Sequence, residues 1–216
     1  MALAALLVLS YLIGAFPSAI VIGRLMKGID VRQHGSGNAG ATNAWRVLGW
    51  RGGLAVAVID VAKGAAAAAG IARIPLGPLP LEPEVVAILC GIAAVLGHVF
   101  PIYVGFRGGK GVATAGGMLI ATASIPVGCA LGVFVLLLFL FGKVSLGSIL
   151  AAWAIPVSAL LLNRFTHLAY PPLLIGLTCG LALFILYTHR SNLVRLLRGQ
   201  ERSFPQLQLW KLLLRR

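Results

Sequence analysis

Long uninterrupted runs of apolar residues, separated by short polar inserts, limit the folds open to this chain more than any other feature. A helix needs roughly 20 apolar residues to cross a ~30 Å hydrocarbon core, and several runs here reach that length. The 216 residues are 59% hydrophobic and only 11% charged, with a mean hydropathy of +0.97. A water-soluble domain of this size needs more charge to cover its surface. The composition therefore predicts an all-α, polytopic membrane protein. Its spans are expected at Ala2–Met26, Leu54–Ala72, Glu84–Val104, Val112–Ser124, Val127–Phe141, Val144–Leu162 and Ala169–Tyr187. The fourth and fifth divide a thirty-residue stretch that is long for one crossing and short for two, with the break placed at Pro126.

Charge chooses seven spans over six. Eighteen Lys and Arg face five Asp and Glu, a formal net charge of +13. With seven spans, the inserts at Lys27–Gly53, Gly105–Gly111 and Gly142–Lys143 and the segment from Thr188 share one side. That side collects fifteen of the eighteen basic residues, leaving Arg73 and Arg164 opposite and Lys63 inside the second span. The positive-inside bias then puts the inserts and the C-terminus in the cytoplasm and the N-terminus outside. Apolar spans interrupt the basic clusters, so no stripe exists for a nucleic-acid duplex. Anionic lipid and an anionic substrate remain as partners. Cys90, Cys129 and Cys179 lie in apolar stretches without CxxC spacing, which implies neither disulfide nor metal site. The apolar run from Ala2 lacks a basic flank and is long for a signal peptide, so it reads as a retained span.

Three polar inserts carry the chemistry. The first, His34 to Arg46, places Ser36, Gly37, Asn38, Thr42 and Asn43 among small residues. Such backbone approaches anionic oxygens closely, and Arg46 adds a fork suited to phosphate or carboxylate. A plain polar loop is an equal reading of this insert alone. The second joins Gly97-His98-Val99-Phe100-Pro101 to Phe106-Arg107-Gly108-Gly109-Lys110-Gly111 before a helix start. A glycine turn bearing a lysine there is a phosphate cradle, although Walker spacing is absent. The third runs from Thr188 to Glu201, with His189 and Asn192 three apart and hence on one helix face. His189 suits phosphate binding or proton transfer. Glu201, among Arg195, Arg198 and Arg202, reads as a structural ion-pair partner. Asp60 and Lys63, three apart inside the second span, can pair; intramembrane charge suggests function by default, and a structural tie is as good a reading.

In this order and between these spans, GSGNAGATNAWR, GHVFPIYVGFRGGKGVAT and HRSNLVRLLRGQE resemble the bacterial acyl-phosphate:glycerol-3-phosphate acyltransferases of the PlsY family. The resemblance reaches about Glu201 and includes Asp60-Val61-Ala62-Lys63-Gly64, with Leu193 a conservative departure from isoleucine. It implies acyl transfer from an acyl phosphate to the 1-hydroxyl of glycerol 3-phosphate, giving lysophosphatidic acid and phosphate at the start of phospholipid synthesis. It also implies a multi-pass protein of the bacterial cytoplasmic (inner) membrane, with its active site at the cytoplasmic face. No cofactor, metal, acyl-CoA or acyl carrier protein is expected. Carried over by motif, Arg46, Lys110, His189 and Asn192 hold glycerol phosphate. Ser36, Gly37, Asn38, Thr42 and Asn43 hold the acyl phosphate, with Gly108, Gly109 and Gly111 as backbone donors and Ser145 and Ser148 completing the pocket. No histidine is followed five residues later by an aspartate, so the H-x4-D dyad of thioester-dependent acyltransferases is missing. Residues 1–202 are expected to form the membrane enzyme, and 203–216 a basic interfacial helix with Leu207, Leu209, Trp210 and Leu213 on its apolar side. The rival reading is a transporter of a phosphorylated or organic anion, which glycine breaks beside basic residues would also suit.

Overall fold

The computed structural model describes residues 1–79 and 81–208, and these are helical with no strand among them. Contacts divide the chain into Met1–Thr122 and Ala123–Arg216. In the first unit, the first expected span is present over Ala2–Lys27, divided into α1 (Ala2–Gly14) and α2 (Ser18–Lys27). Pro17 has no N–H to continue the helix, and the chain turns at Ala15–Pro17 before restarting. Next come a short helix inside the first insert, α3 (Ala41–Leu48), and then α4 (Trp50–Ala65). The latter ends in a wider turn at Ala66–Gly70 and a tight one at Ile71–Arg73. α5 (Pro83–Val99) and the short α6 (Val112–Leu119) complete the unit. The second unit holds α7 (Ser124–Phe141), α8 (Val144–Phe165), α9 (Pro172–Thr188) and α10 (Arg190–Leu197). α9 and α10 meet at a 66° bend.

Among the described residues, five helical segments are long and apolar enough to cross a membrane, or six if α9 and α10 count as one. The shortfall from seven lies in α6. Its eight residues rise only about 12 Å, and its Met118 packs against Gly91, midway along α5. The expected break at Pro126 is also displaced. The chain turns at 120–123, and Pro126 sits in the first turn of α7, where an N–H would have had no partner within the helix. Of the predicted tail, Phe204 is buried and its N–H donates to the Gly142 carbonyl at 2.8 Å. Leu209, Trp210 and Leu213 lie outside the described residues.

Small residues let the first unit close. A Cβ on Gly64 of α4 would meet the Thr114 carbonyl of α6, and one on Gly117 would meet the Val61 carbonyl in return. α1 and α5 cross in the same way, with Gly14 on Ala94 and Gly97 on Tyr11. Between apolar helices in lipid, such close backbone approach supplies the packing energy that water would otherwise drive. Gly64→Ala is therefore expected to lower the melting temperature of detergent-purified protein, at a cost of about 1–3 kcal/mol. Gly116→Ala, which meets nothing within 4 Å, should leave it unchanged or slightly raised.

Candidate active site

The first insert is shaped by two side chains that bond back to its own backbone. Asp30 caps the tight turn Val31–Gln33, accepting from the Arg32 N–H at 2.9 Å, and pairs with the Arg32 guanidinium at 2.8 Å. The Arg32 hydrogen bond is the main reason that the Asp30 carboxyl is held below its usual range. The other end of that guanidinium donates to the Val104 carbonyl at 2.9 Å, bolting the first insert to the second. Asn43, projecting from α3, accepts from the Ser36 N–H at 2.7 Å. Its amide also donates to the carbonyls of Val31 at 2.8 Å and His34 at 3.1 Å. Only 1% of Asn43 is exposed. It shapes the loop from within, which changes its expected part from ligand contact to scaffold. Ser36 and Gly37 stay exposed at the loop's outer turn, where Gly37 adopts a φ of 74°. Asn38, Thr42 and Arg46 are half-buried, the last two a helical turn apart on α3.

The second insert folds back over the end of α5. Gly108 donates its N–H to the Val99 carbonyl and Gly109 to the His98 carbonyl, each at 3.1 Å. These two groups thus satisfy the last carbonyls of α5, and the expectation that they are donors to a ligand is corrected accordingly. Gly111 opens α6 with a φ of 86°, a conformation that glycine enters without strain. Half-buried Lys110 stands between them. The two inserts share a small, partly open cavity of about 210 Å³ counting its mouth, lined by Ala39, Lys63, His98, Gly108 and Gly109 among others. Beneath it, the Asp60 carboxylate accepts from Ser18 at 2.6 Å and Lys63 at 2.9 Å, and lies 3.4 Å from the His98 ring. The expected Asp60–Lys63 pair is therefore present. Ser18 was not singled out from sequence, and His98 was read only as part of the second insert.

In the second unit, Glu201 gathers the third insert. It accepts from Asn192 at 2.6 Å, from Ser145 at 2.8 Å and from Arg195 at 2.8 Å. The predicted ion pair is therefore formed, with Arg195 as its partner. Ser145 donates its hydroxyl proton to that carboxylate, and Ser148 lies buried one turn further along α8. His189, 3% exposed at the α9–α10 bend, has Nδ1 at 2.8 Å from the Ile185 carbonyl. A carbonyl only accepts, so Nδ1 carries the proton and Nε2 is the nitrogen through which this ring can exchange one.

Burial raises the Glu201 pKa, but the bonds from Asn192, Ser145 and Arg195 outweigh it and hold the carboxyl below its usual value of 4.5. A lowered pKa means that the ionised group stabilises the fold above that value and loses this contribution as the pH falls through it. The melting temperature should accordingly drop as the pH is taken from about 5 toward 3. Glu201→Gln should melt lower at pH 7 and show a shallower acid drop; an unchanged pH profile would argue against the carboxylate's role.

Residues 4–199 match the glycerol-3-phosphate acyltransferase family model. A glycerol-3-phosphate acyltransferase of Chlorobium phaeobacteroides (strain BS1) is 45% identical, over 91% of this chain and 94% of its own length. One from Chlorobaculum tepidum is 44% identical over the same shares. The crystal structure of PlsY (YgiH), an integral membrane glycerol 3-phosphate acyltransferase, in its glycerol 3-phosphate form superposes with a TM-score of 0.81 at 32% identity. That superposition covers 96% of this chain and 98% of the other. The lysophosphatidic acid form gives 0.79 at 31% identity, covering 97% and 99%. With the motifs in order and the match running from end to end, the chain belongs to the glycerol-3-phosphate acyltransferase family.

Proposed function

We propose that this protein transfers the acyl group of an acyl phosphate to the 1-hydroxyl of sn-glycerol 3-phosphate, giving 1-acylglycerol 3-phosphate and phosphate. The observation that carries this reading is the full-length likeness to an enzyme solved with substrate and with product, in glycerol 3-phosphate and lysophosphatidic acid forms. The hydroxyl oxygen attacks the acyl carbonyl carbon, the bond from that carbon to the phosphate oxygen breaks, and the hydroxyl proton passes to a base. The donor is a mixed anhydride whose leaving group is already good, so neither metal nor covalent nucleophile is demanded. The missing H-x4-D dyad supports an acyl phosphate donor in place of a thioester.

In this reading Arg46, Lys110, His189 and Asn192 neutralise glycerol 3-phosphate and the charge that develops in transfer. Ser36, Gly37, Asn38 and Thr42 take the acyl phosphate, with Gly111 as a backbone donor and Ser148 completing the phosphate pocket. The acyl chain lies in lipid between helices. Residues 1–202 form the enzyme and 203–216 a basic interfacial tail. The basic inserts face the cytoplasm at a bacterial inner membrane and the N-terminus lies outside. α6 counts in this topology as a short seventh segment that preserves the parity of the inserts.

The test is purified protein supplied with palmitoyl phosphate and glycerol 3-phosphate, with released phosphate and lysophosphatidic acid measured. Lys110→Met is expected to lower turnover by about 100-fold or more; near-normal kinetics would remove the lysine from its role. His189→Gln separates two proton acceptors. Full turnover in that variant assigns the base to the phosphate of glycerol 3-phosphate, whose second pKa is ~6; loss of turnover at unchanged KM assigns it to the histidine.

A further inference from the structure

The floor of the cavity in the first unit holds charges that acyl transfer itself does not call for. Asp60 and Lys63 come from α4, Ser18 from α2 and His98 from the last turn of α5, and all four are buried. One oxygen, Asp60 Oδ1, gathers the Ser18 hydroxyl at 2.6 Å, the Lys63 ammonium at 2.9 Å and His98 Nδ1 at 3.4 Å. Lys63 also donates to the Phe16 carbonyl at 3.3 Å, where the first span is broken. A carboxylate can only accept, so the His98 proton facing it belongs to Nδ1. The opposite edge of the ring lies under the glycine turn, since a Cβ at Gly109 would meet His98 Nε2. The main chain grips the same place: the His98 carbonyl accepts from Gly109 at 3.1 Å, and a Cβ at Gly108 would meet that carbonyl.

We infer that His98 is a positioning residue for Lys110, with the Asp60–Lys63 pair as the anchor that fixes its ring beneath the Gly108–Gly111 turn. Glycine backbone has more conformations to lose than any other, so a lysine flanked by glycines is held more firmly where a side chain underneath adds to the backbone bonds that limit the turn. The imidazole fills that space, and its bond to Asp60 stops it from turning away. The intramembrane charges thus serve substrate binding at second hand, through the loop and not by touching the substrate. This rests on the assignment of glycerol 3-phosphate to Lys110. It follows that disturbing His98 weakens binding of that substrate selectively.

The experiment compares KM for the two substrates in purified full-length variants. His98→Ala should raise KM for glycerol 3-phosphate about ten-fold and lower kcat, because Lys110 also meets the charge of transfer, while KM for palmitoyl phosphate stays within about two-fold. His98→Asn, which keeps a donor where Nδ1 stood but leaves the space beneath Gly109 open, should recover only part of the loss. Gly109→Ala should raise the same KM in the native background and add little to His98→Ala, because the ring it would strike is gone. If His98→Ala does not fold, His98→Gln keeps bulk beside Gly109 but displaces the donor from Asp60, and must still raise that KM selectively. Unchanged KM values, equal changes for both substrates, or a Gly109→Ala effect independent of residue 98 would overturn the inference. A native protein that transfers no acyl group overturns the substrate assignment and this inference together. An active native protein with indifferent variants overturns this inference alone.

Discussion

The first unit depends on one carboxylate. Asp60 lies in α4, 1% exposed, and a bare charge there would be costly enough to disrupt the packing of apolar helices. Three donors from three different helices offset that cost. The arrangement has direction as well as strength: the donors sit where α2 restarts, where α5 ends, and one turn along α4 itself. Satisfying the charge therefore brings the break in the first span and the start of the second insert to the same place. Glycines at Gly64, Gly97 and Gly117 then let the backbones approach closely enough for those bonds to form.

The second unit uses the same device outside the apolar segments. Glu201 accepts from the start of α8 through Ser145 and from α10 through Asn192 and Arg195. A residue just beyond α10 thus fixes the side chain of Asn192 and the entry of α8. In both units a single acid surrounded by donors organises the polar end of apolar helices. That economy fits a chain with five acidic residues in all.

Apolar length made the helices legible in the sequence, and most of their ends were read to within a few residues. What escaped was set by tertiary partners. The break at Pro17 was visible as a proline but is stabilised by Lys63, a residue far along the chain. α3 was read as loop because glycines and amides dominate its approach; the buried faces of Ala44 and Leu48 hold it as a helix. α6 was counted as a span on charge parity and read as running to Ser124; the turn at 120–123 ends it at Leu119. At the site, motif order identified the family, whereas the division between ligand contacts and scaffold was not legible. Asn43, Gly108 and Gly109 look like donors in one dimension, and only three-dimensional contacts reveal that they are engaged within the loops.

The broken first span also bears on how the molecule is assembled. α1 and α2 together run about 35 Å as helix, against a ~30 Å core, so the break takes up spare length and the segment can enter a membrane as one apolar stretch. Once it has entered, the Phe16 carbonyl bonds locally to the Ser18 N–H at 2.9 Å. Its other donor in the folded protein, Lys63, lies 47 residues further along the chain. The α1–α2 segment, synthesised before α4, therefore acquires its final shape only when α4 arrives beside it, and the Asp60–Lys63 pair of α4 in turn relies on Ser18 and the Phe16 carbonyl to complete its hydrogen bonds. Maturation of these two helices is mutual, and neither can serve as a finished template for the other.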